Sequence, residues 1–388
     1  MDLKNEATAE LLEHIIPFWE NMKDEEHGGF YGKMTFSLKL DKTAEKGCIL
    51  NSRILWFFSM AYITTGGKEL LDYAAHAFAF FKNSFFDSEN GGVFWSVTHD
   101  GKALDDTKHT YCQAFAVYGL AAYFKASGDT AALEYALRLF ELIEEKCTDP
   151  AGYGEAFDKS WKKSSNDKLS ENGVTADRTM NTLLHVFEAY TGLYEVTKSL
   201  KVKSRLLEIM DIFSNKIYDP KRKRLKVFFD TDYNELIDLY SYGHDIEASW
   251  LIDYGLGVVG DEGIAAKFSW LVGILAEAAY KAGFEKNCLL AECEKGVNSI
   301  PRIWWVQCEA VVGLVNISQK YPRNLEYKNS AEKIWAFIRE NIIDKRKSGE
   351  WFSEVSPSGE PDTAKNICDL WKCPYHNGRM CMEIMKRL

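Results

Sequence analysis

The sequence predicts an all-α fold, an (α/α)6 barrel with short β-hairpins in the connecting loops. Apolar faces recur with helical periodicity along most of the chain, and motifs that combine glycine with aromatic residues recur at intervals of roughly 60 residues. A unit of two helices and a hairpin buries its apolar faces by stacking on its neighbours, so six such units are expected to close into a ring. We therefore expect one domain that spans residues 1–388.

The predicted helices fall into two alternating classes. One class is apolar on wide faces, which is typical of buried helices, and the other is amphipathic, which is typical of helices on the outside. The inner class comprises residues 50–62, 111–125, 180–195, 245–256, 304–318 and 378–385. The outer class comprises residues 6–22, 70–82, 131–145, 202–217, 265–282 and 327–343. The first outer helix and the last inner helix would form the pair that closes the ring.

Glycine-rich turns separate these helices. Segments 27–32, 90–95, 151–155 and 348–353 each follow a predicted outer helix and combine glycine with aromatic residues, which favours a short hairpin. Gly255, Gly257 and Gly260 match the GxGxxG pattern, but they follow a helical run and no βαβ unit surrounds them. We therefore interpret them as the end of a helix and its turn rather than as a dinucleotide site.

Composition excludes several classes of partner. The formal net charge of −10, without a concentrated basic stretch, argues against nucleic acid. No apolar stretch approaches the roughly 20 residues that a membrane helix needs. The nine cysteines are scattered and lack zinc-ribbon spacing, and the N-terminus is charged and amphipathic, so we expect a cytoplasmic protein with reduced thiols. The aromatic content of 14% fits either a ring-rich core or a carbohydrate cleft.

Polar residues stand near the start of every predicted inner helix, about 60 to 70 residues apart. If the inner helices run parallel, these residues meet at one end of the barrel, where helix N-termini also favour developing oxyanions. Three pairs are spaced three or four residues apart and therefore share a helix face. The set is Arg53, Tyr111, Asn181 with His185, His244 with Glu247, Trp305 with Glu309, and Trp371 with His376.

Two of the motifs are built around histidine. One runs from Ser241 to Glu247 and the other from Trp371 to Arg379, and each places an imidazole at the start of an apolar run. Histidine donates or accepts a proton near neutral pH, so two such rings facing one pocket can take a proton from one side of a carbon and return it on the other. For each residue taken alone, a packing role or a structural ion pair remained open.

At these motifs the chain resembles the N-acylglucosamine 2-epimerase superfamily and, within it, the cellobiose 2-epimerase group. The resemblance covers almost the whole chain, and the combination of motifs is specific although no single one is. They are HIIPFW at 14–19, SRILWFF at 52–58, KHTY at 108–111, MN at 180–181, His185, SYGHDIE at 241–247, WWVQ at 304–307 and WKCPYHNGRM at 371–380.

The resemblance implies an (α/α)6 barrel that reversibly epimerises C2 of the reducing-end sugar of β-1,4-linked disaccharides, without metal or nicotinamide. It implies an acid/base pair in His244 and His376, with His185 and Arg53 assisting ring opening and holding the enolate oxygens. The remaining residues of the set would bind substrate or position histidines, and Glu247 is expected to orient His244 or its neighbours. Trp305, preferred over Trp304, and Trp371 would supply stacking faces.

Other functions stay open at this point. N-acetylglucosamine or free mannose are alternative substrates, and a glycoside hydrolase on the same barrel would use Glu247 and Glu309. An inactive sugar-binding protein is a third class, which the three retained histidines argue against. The polar segment 152–178, with Asp158 and Trp161, resembles the disaccharide enzymes, whereas segment 285–301 departs from the family pattern. We expect a small-molecule disaccharide as ligand, and a monomer.

Overall fold

A closed ring of parallel-packed helices forms the centre of the fold. The structure, a computed structural model, describes residues 2–166, 168–169 and 172–388. Within these residues, each inner helix packs against the next, and the last packs against the first. The inner helices are α3 (Cys48–Thr65), α5 (Thr110–Ser127), α7 (Met180–Thr197), α9 (Tyr242–Val259), α12 (Trp304–Lys320) and α14 (Tyr375–Arg387). The predicted (α/α)6 barrel is confirmed.

Amphipathic helices surround this ring. Each packs against an inner helix, and α1 packs against α14, so the two ends of the chain close the barrel as predicted. The outer layer comprises α1 (Leu3–Glu10) and α2 (Ile16–Glu20) joined by a π-turn at Leu11–Ile15, α4 (Lys68–Ser84), α6 (Thr130–Lys146), α8 (Leu200–Ile212), α10 (Glu262–Phe268) and α11 (Trp270–Gly283), and α13 (Leu325–Phe337). Further π-turns at Phe213–Ile217 and Ile338–Ile342 extend α8 and α13.

Several predicted helix boundaries were wrong in an informative way. Helices α9 and α14 begin three residues earlier than predicted, so His244 and His376 lie inside a first helical turn. The apolar run starts after that turn because its residues are polar, and helix onset is set instead by the Ser241 cap and by Pro374. The predicted helix over residues 265–282 is divided at Ser269 into α10 and α11. Gly260 ends α9 in a left-handed conformation, which confirms the turn interpretation of the GxGxxG match.

Short hairpins follow the outer helices, as predicted for the glycine-rich turns. Three of these chain reversals are closed by single bridges, Lys23 with Phe30, Phe86 with Val93 and Ile343 with Trp351. The other three are two-residue strand pairs: Thr148–Asp149 with Gly152–Tyr153, Tyr218–Asp219 with Arg224–Leu225, and Phe284–Glu285 with Cys288–Leu289.

A second set of strand pairs joins each repeat to the next, and we call this set the collar. The residues just before an inner helix pair with a strand of the following repeat: Lys46–Gly47 with Ser96–Val97, Lys108–His109 with Ala156–Phe157, Arg178–Thr179 with Phe228–Phe229, Leu239–Ser241 with Glu292–Glu294, and Arg302–Ile303 with Glu354–Val355. A bridge from Cys368 to Met34 closes the circle. Ala103–Asp105 and Val297–Asn298 add third strands, and Lys33–Met34 pairs with Leu40–Asp41.

Ion pairs reinforce the collar. In four repeats a basic residue two positions before the inner helix pairs with an acid just after the preceding outer helix. The pairs are Lys46–Asp24 (2.7 Å), Lys108–Asp87 (2.9 Å), Arg178–Asp149 and Arg302–Glu285 (2.7 Å). Lys46–Asp24 and Lys108–Asp87 are buried on both sides, and removing one partner of such a pair typically costs about 3–5 kcal/mol. In the other two pairs the acids, Asp149 and Glu285, are about half exposed. Among the described helices, none is both long and apolar enough to cross a membrane.

The inner helices approach one another closely at glycines. A Cβ at Gly119 of α5 would lie 2.6 Å from the backbone oxygen of Ser52 in α3, which cannot move without shifting the helix. By contrast, a Cβ at Gly257 of α9 meets nothing within 4 Å. Gly119 therefore sets the distance between α3 and α5.

We predict that Gly119→Ala lowers the free energy of unfolding by about 1–3 kcal/mol, the usual cost of overpacking. The matched control Gly257→Ala should leave stability unchanged or raise it by up to ~1 kcal/mol, because alanine loses less backbone entropy in a helix. Urea denaturation of both variants measures the difference. Equal stabilities would contradict the close approach.

Candidate active site

Two histidines contact the same indole ring at the collar end of the barrel. The ring centroids of His244, in the first turn of α9, and Trp305, in α12, are 4.8 Å apart. The centroid of His376, in the first turn of α14, lies 5.5 Å from that of Trp305. Trp305 is half-buried, whereas Trp304 beside it is buried and contacts the edge of His376. The structure therefore brings both predicted histidines to one pocket, with Trp305 rather than Trp304 between them.

Each candidate histidine is held through its Nδ1 atom, but by different groups. Nδ1 of His376 lies 2.7 Å from Glu309, and Nδ1 of His185 lies 2.9 Å from Glu188. Nδ1 of His244 lies 2.7 Å from the hydroxyl of Ser241. Among the described residues, Nε2 of these three rings has no hydrogen-bond partner, so Nε2 is the atom left for a substrate. Glu247 was expected to orient His244 or its neighbours; it does not hydrogen-bond to His244, whose Nδ1 is held by Ser241, the N-cap residue of α9, and it accepts from Arg379 instead.

Arg53 is a buried cation without an acidic partner. Its guanidinium donates to the hydroxyl of Tyr111 at 2.8 Å and lies 4.2 Å from the ring centre of Phe115 and 4.6 Å from that of Tyr375. No carboxylate of the described chain lies within 4.0 Å of it, so the alternative of a structural ion pair was wrong. Burial disfavours its charge, but Tyr111 and Cys373 raise its pKa above the usual value. A buried positive charge with unfilled bonding capacity is suited to an anionic oxygen.

A second buried arginine has the opposite environment. Arg379, three residues after His376, donates to Glu188, Glu247 and Glu309, and Tyr375 also bonds to Glu188. Sequence reasoning missed the roles of Glu188, Arg379 and Tyr375. The available signal was spacing, since Glu188 lies three residues after His185 and Arg379 three after His376, which places each acid or base on the same helix face as a histidine.

Glu247, Glu309 and His376 also bring ligand atoms within 4.8 Å of one another, a spacing that a metal ion could bridge. Arg379 donates to both carboxylates of this group, so its positive charge already neutralises the position that a cation would occupy. The donor set therefore fits an arginine-centred cluster better than a metal centre.

The remaining predicted residues line the approach to these rings. Tyr111 lies between His185 and Trp371, with centroid distances of 5.1 and 5.9 Å, and Trp371 is exposed. Asn181 and His244 line a cavity of about 400 Å³. Trp161 donates to the backbone of Asn90 and so packs against the neighbouring loop. Segment 152–178 lies partly outside the described residues.

Segment 285–301, which departs from the family pattern, forms part of this wall. Its strand Glu292–Glu294 pairs with Leu239–Ser241, directly before His244, and Glu292 lines the same 400 Å³ cavity. The exposed Asn172 donates to Glu294 at 2.9 Å, which joins this strand to the loop after α6. A larger cavity, of about 830 Å³, lies on the far side of Glu188 and Arg379, among the C-terminal halves of the inner helices.

Burial keeps the histidines neutral. It lowers the pKa of His244 to about 3, with a smaller contribution from His185. Burial, and then the positive charges of Arg379 and Arg53, also lower the pKa of His376 well below its usual value, and burial lowers that of His185. Burial raises the pKa of Glu247 well above normal, and the neighbouring Glu309 adds to this. The pocket therefore offers neutral imidazoles as bases beside a fixed positive charge.

Because His244 is protonated far more readily in the unfolded chain, we predict that stability falls as pH drops. In the unfolded chain His244 takes up a proton near pH 6.5, whereas in the folded protein it does so only near pH 3. The contribution of His244 to the free energy of unfolding is therefore fully present above pH 6.5 and decreases as the pH falls below that value. His244→Gln should reduce the slope of unfolding free energy between pH 6.5 and 5 by up to about 1.4 kcal/mol per pH unit. Urea titrations at several pH values measure this. His99→Gln, on an outer turn, is the control, and an unchanged slope in His244→Gln would contradict the assignment.

Comparison with known proteins identifies the family. The family model described as N-acylglucosamine 2-epimerase (GlcNAc 2-epimerase) matches residues 28–376. A cellobiose 2-epimerase of Ruminococcus albus is 48% identical over 383 residues, covering 99% of this chain and 98% of the relative. Crystal structures of a sugar epimerase from a ruminal bacterium (48% identity, TM-score 0.98, 100% and 99% coverage) and of the cellobiose 2-epimerase of Bacillus thermoamylovorans (42%, 0.96, 99% of both chains) have the same fold. The chain belongs to the N-acylglucosamine 2-epimerase family.

Proposed function

We propose that this protein is a cellobiose 2-epimerase, which interconverts the two C2 epimers of the reducing-end sugar of β-1,4-linked disaccharides. Cellobiose would become glucosyl-mannose, and lactose would become epilactose. The proposal rests mainly on one observation: His244 and His376 both contact the indole of Trp305, beside Arg53, which has no acidic partner among the described residues. The full-length similarity to cellobiose 2-epimerases supports the same activity.

The reaction must begin with ring opening, because the hydrogen on C2 becomes acidic only beside an open-chain aldehyde. A proton has to leave O1 and another has to reach O5. His185 suits this step, since its Nδ1 is held by Glu188 and its Nε2 is available to accept a proton from O1 and pass it to O5. The guanidinium of Arg53 can donate to O1, and Tyr111 fixes its orientation. We assign ring opening to these two groups.

Epimerisation then removes the C2 proton to give a cis-enediolate and returns a proton on the opposite face. The buried guanidinium of Arg53 stabilises the negative charge on the enediolate oxygens. The two histidines differ in their support: a carboxylate behind His376 favours its imidazolium form, whereas the hydroxyl behind His244 adds no charge. We assign proton removal from cellobiose to His244 and proton return to His376, with the roles reversed for glucosyl-mannose.

The site suits a disaccharide better than a single sugar. The exposed Trp371 and the wall formed by Asn172 and Glu292 extend the pocket beyond the three histidines, and aromatic faces stack on the apolar faces of sugar rings. N-acetylglucosamine and mannose remain the substrates to compare. The hydrolase alternative loses support, because Glu247 and Glu309 are buried and both bind Arg379, whereas glycosidases need two carboxyl groups free to flank the bond.

Product analysis in D2O tests the reaction. With cellobiose, we expect glucosyl-mannose with deuterium at C2 and no release of glucose, measured by NMR and chromatography. Lactose, mannobiose and N-acetylglucosamine in parallel give the substrate preference. Release of glucose would favour a hydrolase, and turnover of N-acetylglucosamine alone would move the chain to the other branch of the family.

Single histidine variants test the assignment of the two faces. In D2O, His376→Asn should exchange the C2 hydrogen of cellobiose through His244 much faster than it forms the epimer, and His244→Asn should do the same with glucosyl-mannose. Epimerisation should fall by about 10²–10⁴-fold in each, the usual contribution of a general acid or base. The opposite pattern of exchange would reverse the assignment, and wild-type turnover by either variant would remove its histidine from the mechanism.

We also propose that the reaction needs no metal or organic cofactor, since the imidazoles and Arg53 supply proton transfer and charge stabilisation. Dialysis against EDTA should leave kcat unchanged, with the metal content of the dialysed protein measured by mass spectrometry. Loss of activity that Mg²⁺, Mn²⁺ or Zn²⁺ restores would contradict this and would return attention to Glu247, Glu309 and His376.

A further inference from the structure

Glu188 occupies a position that no catalytic motif contains. It lies one turn after His185 on α7, is 3% exposed, and bonds to three groups. Its Oε2 atom accepts from Nδ1 of His185 at 2.9 Å and from the hydroxyl of Tyr375, while its Oε1 atom accepts from Arg379. All three of these groups donate hydrogen bonds to the carboxylate of Glu188, which therefore fixes their orientation.

The charge of Glu188 is maintained by its neighbours. Burial alone would raise its pKa, but Arg379 and the contact with His185 outweigh burial and lower the pKa to about 2. An ionised carboxylate only accepts hydrogen bonds, so the proton of the neutral His185 ring must reside on Nδ1. The lone pair of that ring then lies on Nε2, which is the atom without a partner among the described residues.

We infer that Glu188, held by Arg379, is a positioning residue that fixes His185 as the Nδ1–H tautomer, so that Nε2 meets the sugar as a base. This inference rests on the proposed function for its catalytic meaning. The same guanidinium also binds Glu309 at 2.7 Å, and Glu309 holds Nδ1 of His376. Arg379 therefore links His185, assigned to ring opening, with His376, assigned to transfer of the C2 proton, through the carboxylates that hold the two rings.

Substitution of Glu188 by glutamine gives a sharp consequence. Arg379 can only donate, so the amide oxygen of glutamine has to face Arg379 and the amide nitrogen has to face His185. Nδ1 of His185 would then accept a hydrogen bond, and the ring proton would move to Nε2. The atom that meets the sugar would become a donor and could no longer accept the O1 proton.

The test combines ¹⁵N NMR of histidine-labelled, substrate-free protein with steady-state kinetics on cellobiose. In Glu188→Gln we expect His185 to change from Nδ1–H to Nε2–H while His244 and His376 keep their tautomers. We expect kcat to fall at least about 100-fold, as a general base in the wrong tautomer does, with KM within about twofold. Glu195→Gln, the same substitution two turns further along α7 at a partly exposed ion pair with Lys125, should change neither the tautomer of His185 nor kcat.

The inference is overturned if His185 keeps its tautomer in Glu188→Gln, if the tautomer changes without loss of kcat, or if all three rings change together, which would indicate a general collapse of the pocket. The NMR reading does not depend on turnover. Failure of the wild-type protein to epimerise cellobiose would therefore defeat the proposed function, while the tautomer would still decide whether Glu188 fixes His185. If Glu188→Gln folds poorly, Arg379→Lys replaces it, because lysine retains the charge but cannot bridge both carboxylates. The ¹⁵N signals of His185 and His376 should then change while those of His244 do not. Any other pattern overturns the inference.

Discussion

The collar is the constraint on which the site depends. Helices α3, α5, α7, α9 and α12 begin directly after a two- or three-residue strand that pairs with the next repeat, and the bridge from Cys368 to Met34, shortly before α14, completes the circle. Backbone pairing fixes the height and rotation of each first helical turn, and the buried ion pairs such as Lys46–Asp24 hold the strands from outside. Because all six inner helices start at this rim, polar residues about 60 to 70 positions apart in the sequence arrive at one pocket.

Two buried arginines show how environment divides one side-chain type between two tasks. Arg379 forms ion pairs with three surrounding carboxylates, so its charge is already neutralised within the protein. Removal of Arg379 would leave several buried charges unpaired. Arg53 is surrounded by aromatic rings and Tyr111, so its charge is left for a substrate. A sequence shows two arginines in helical motifs and gives no means of telling them apart, since the distinction depends on residues up to 191 positions away.

Helix periodicity predicted the layers of the barrel and the recurring motifs predicted which residues meet, because both patterns are local. Local patterns could not predict which polar groups form hydrogen bonds with each other. Glu247 stands three residues from His244 and was expected to orient it or its neighbours, yet Ser241 holds His244, while Glu247 accepts from Arg379. Likewise the first turns of α9 and α14 are polar, so an apolar pattern misses them, although a cap or a proline starts the helix there.

The low pKa of the histidines, which favours bases, raises the question of how one of them also carries a proton. The answer lies in the charges around them. Burial lowers the pKa of His376 most, and the positive charges of Arg379 and then Arg53 lower it further. In the reaction proposed above, the negative charge of the enediolate would lie against Arg53 and offset the repulsion between Arg53 and His376, while Glu309 stays hydrogen-bonded to Nδ1 of His376. In that mechanism the enediolate would stabilise His376 as an imidazolium at the step that needs an acid, and neither ring would have to carry a buried positive charge before that step.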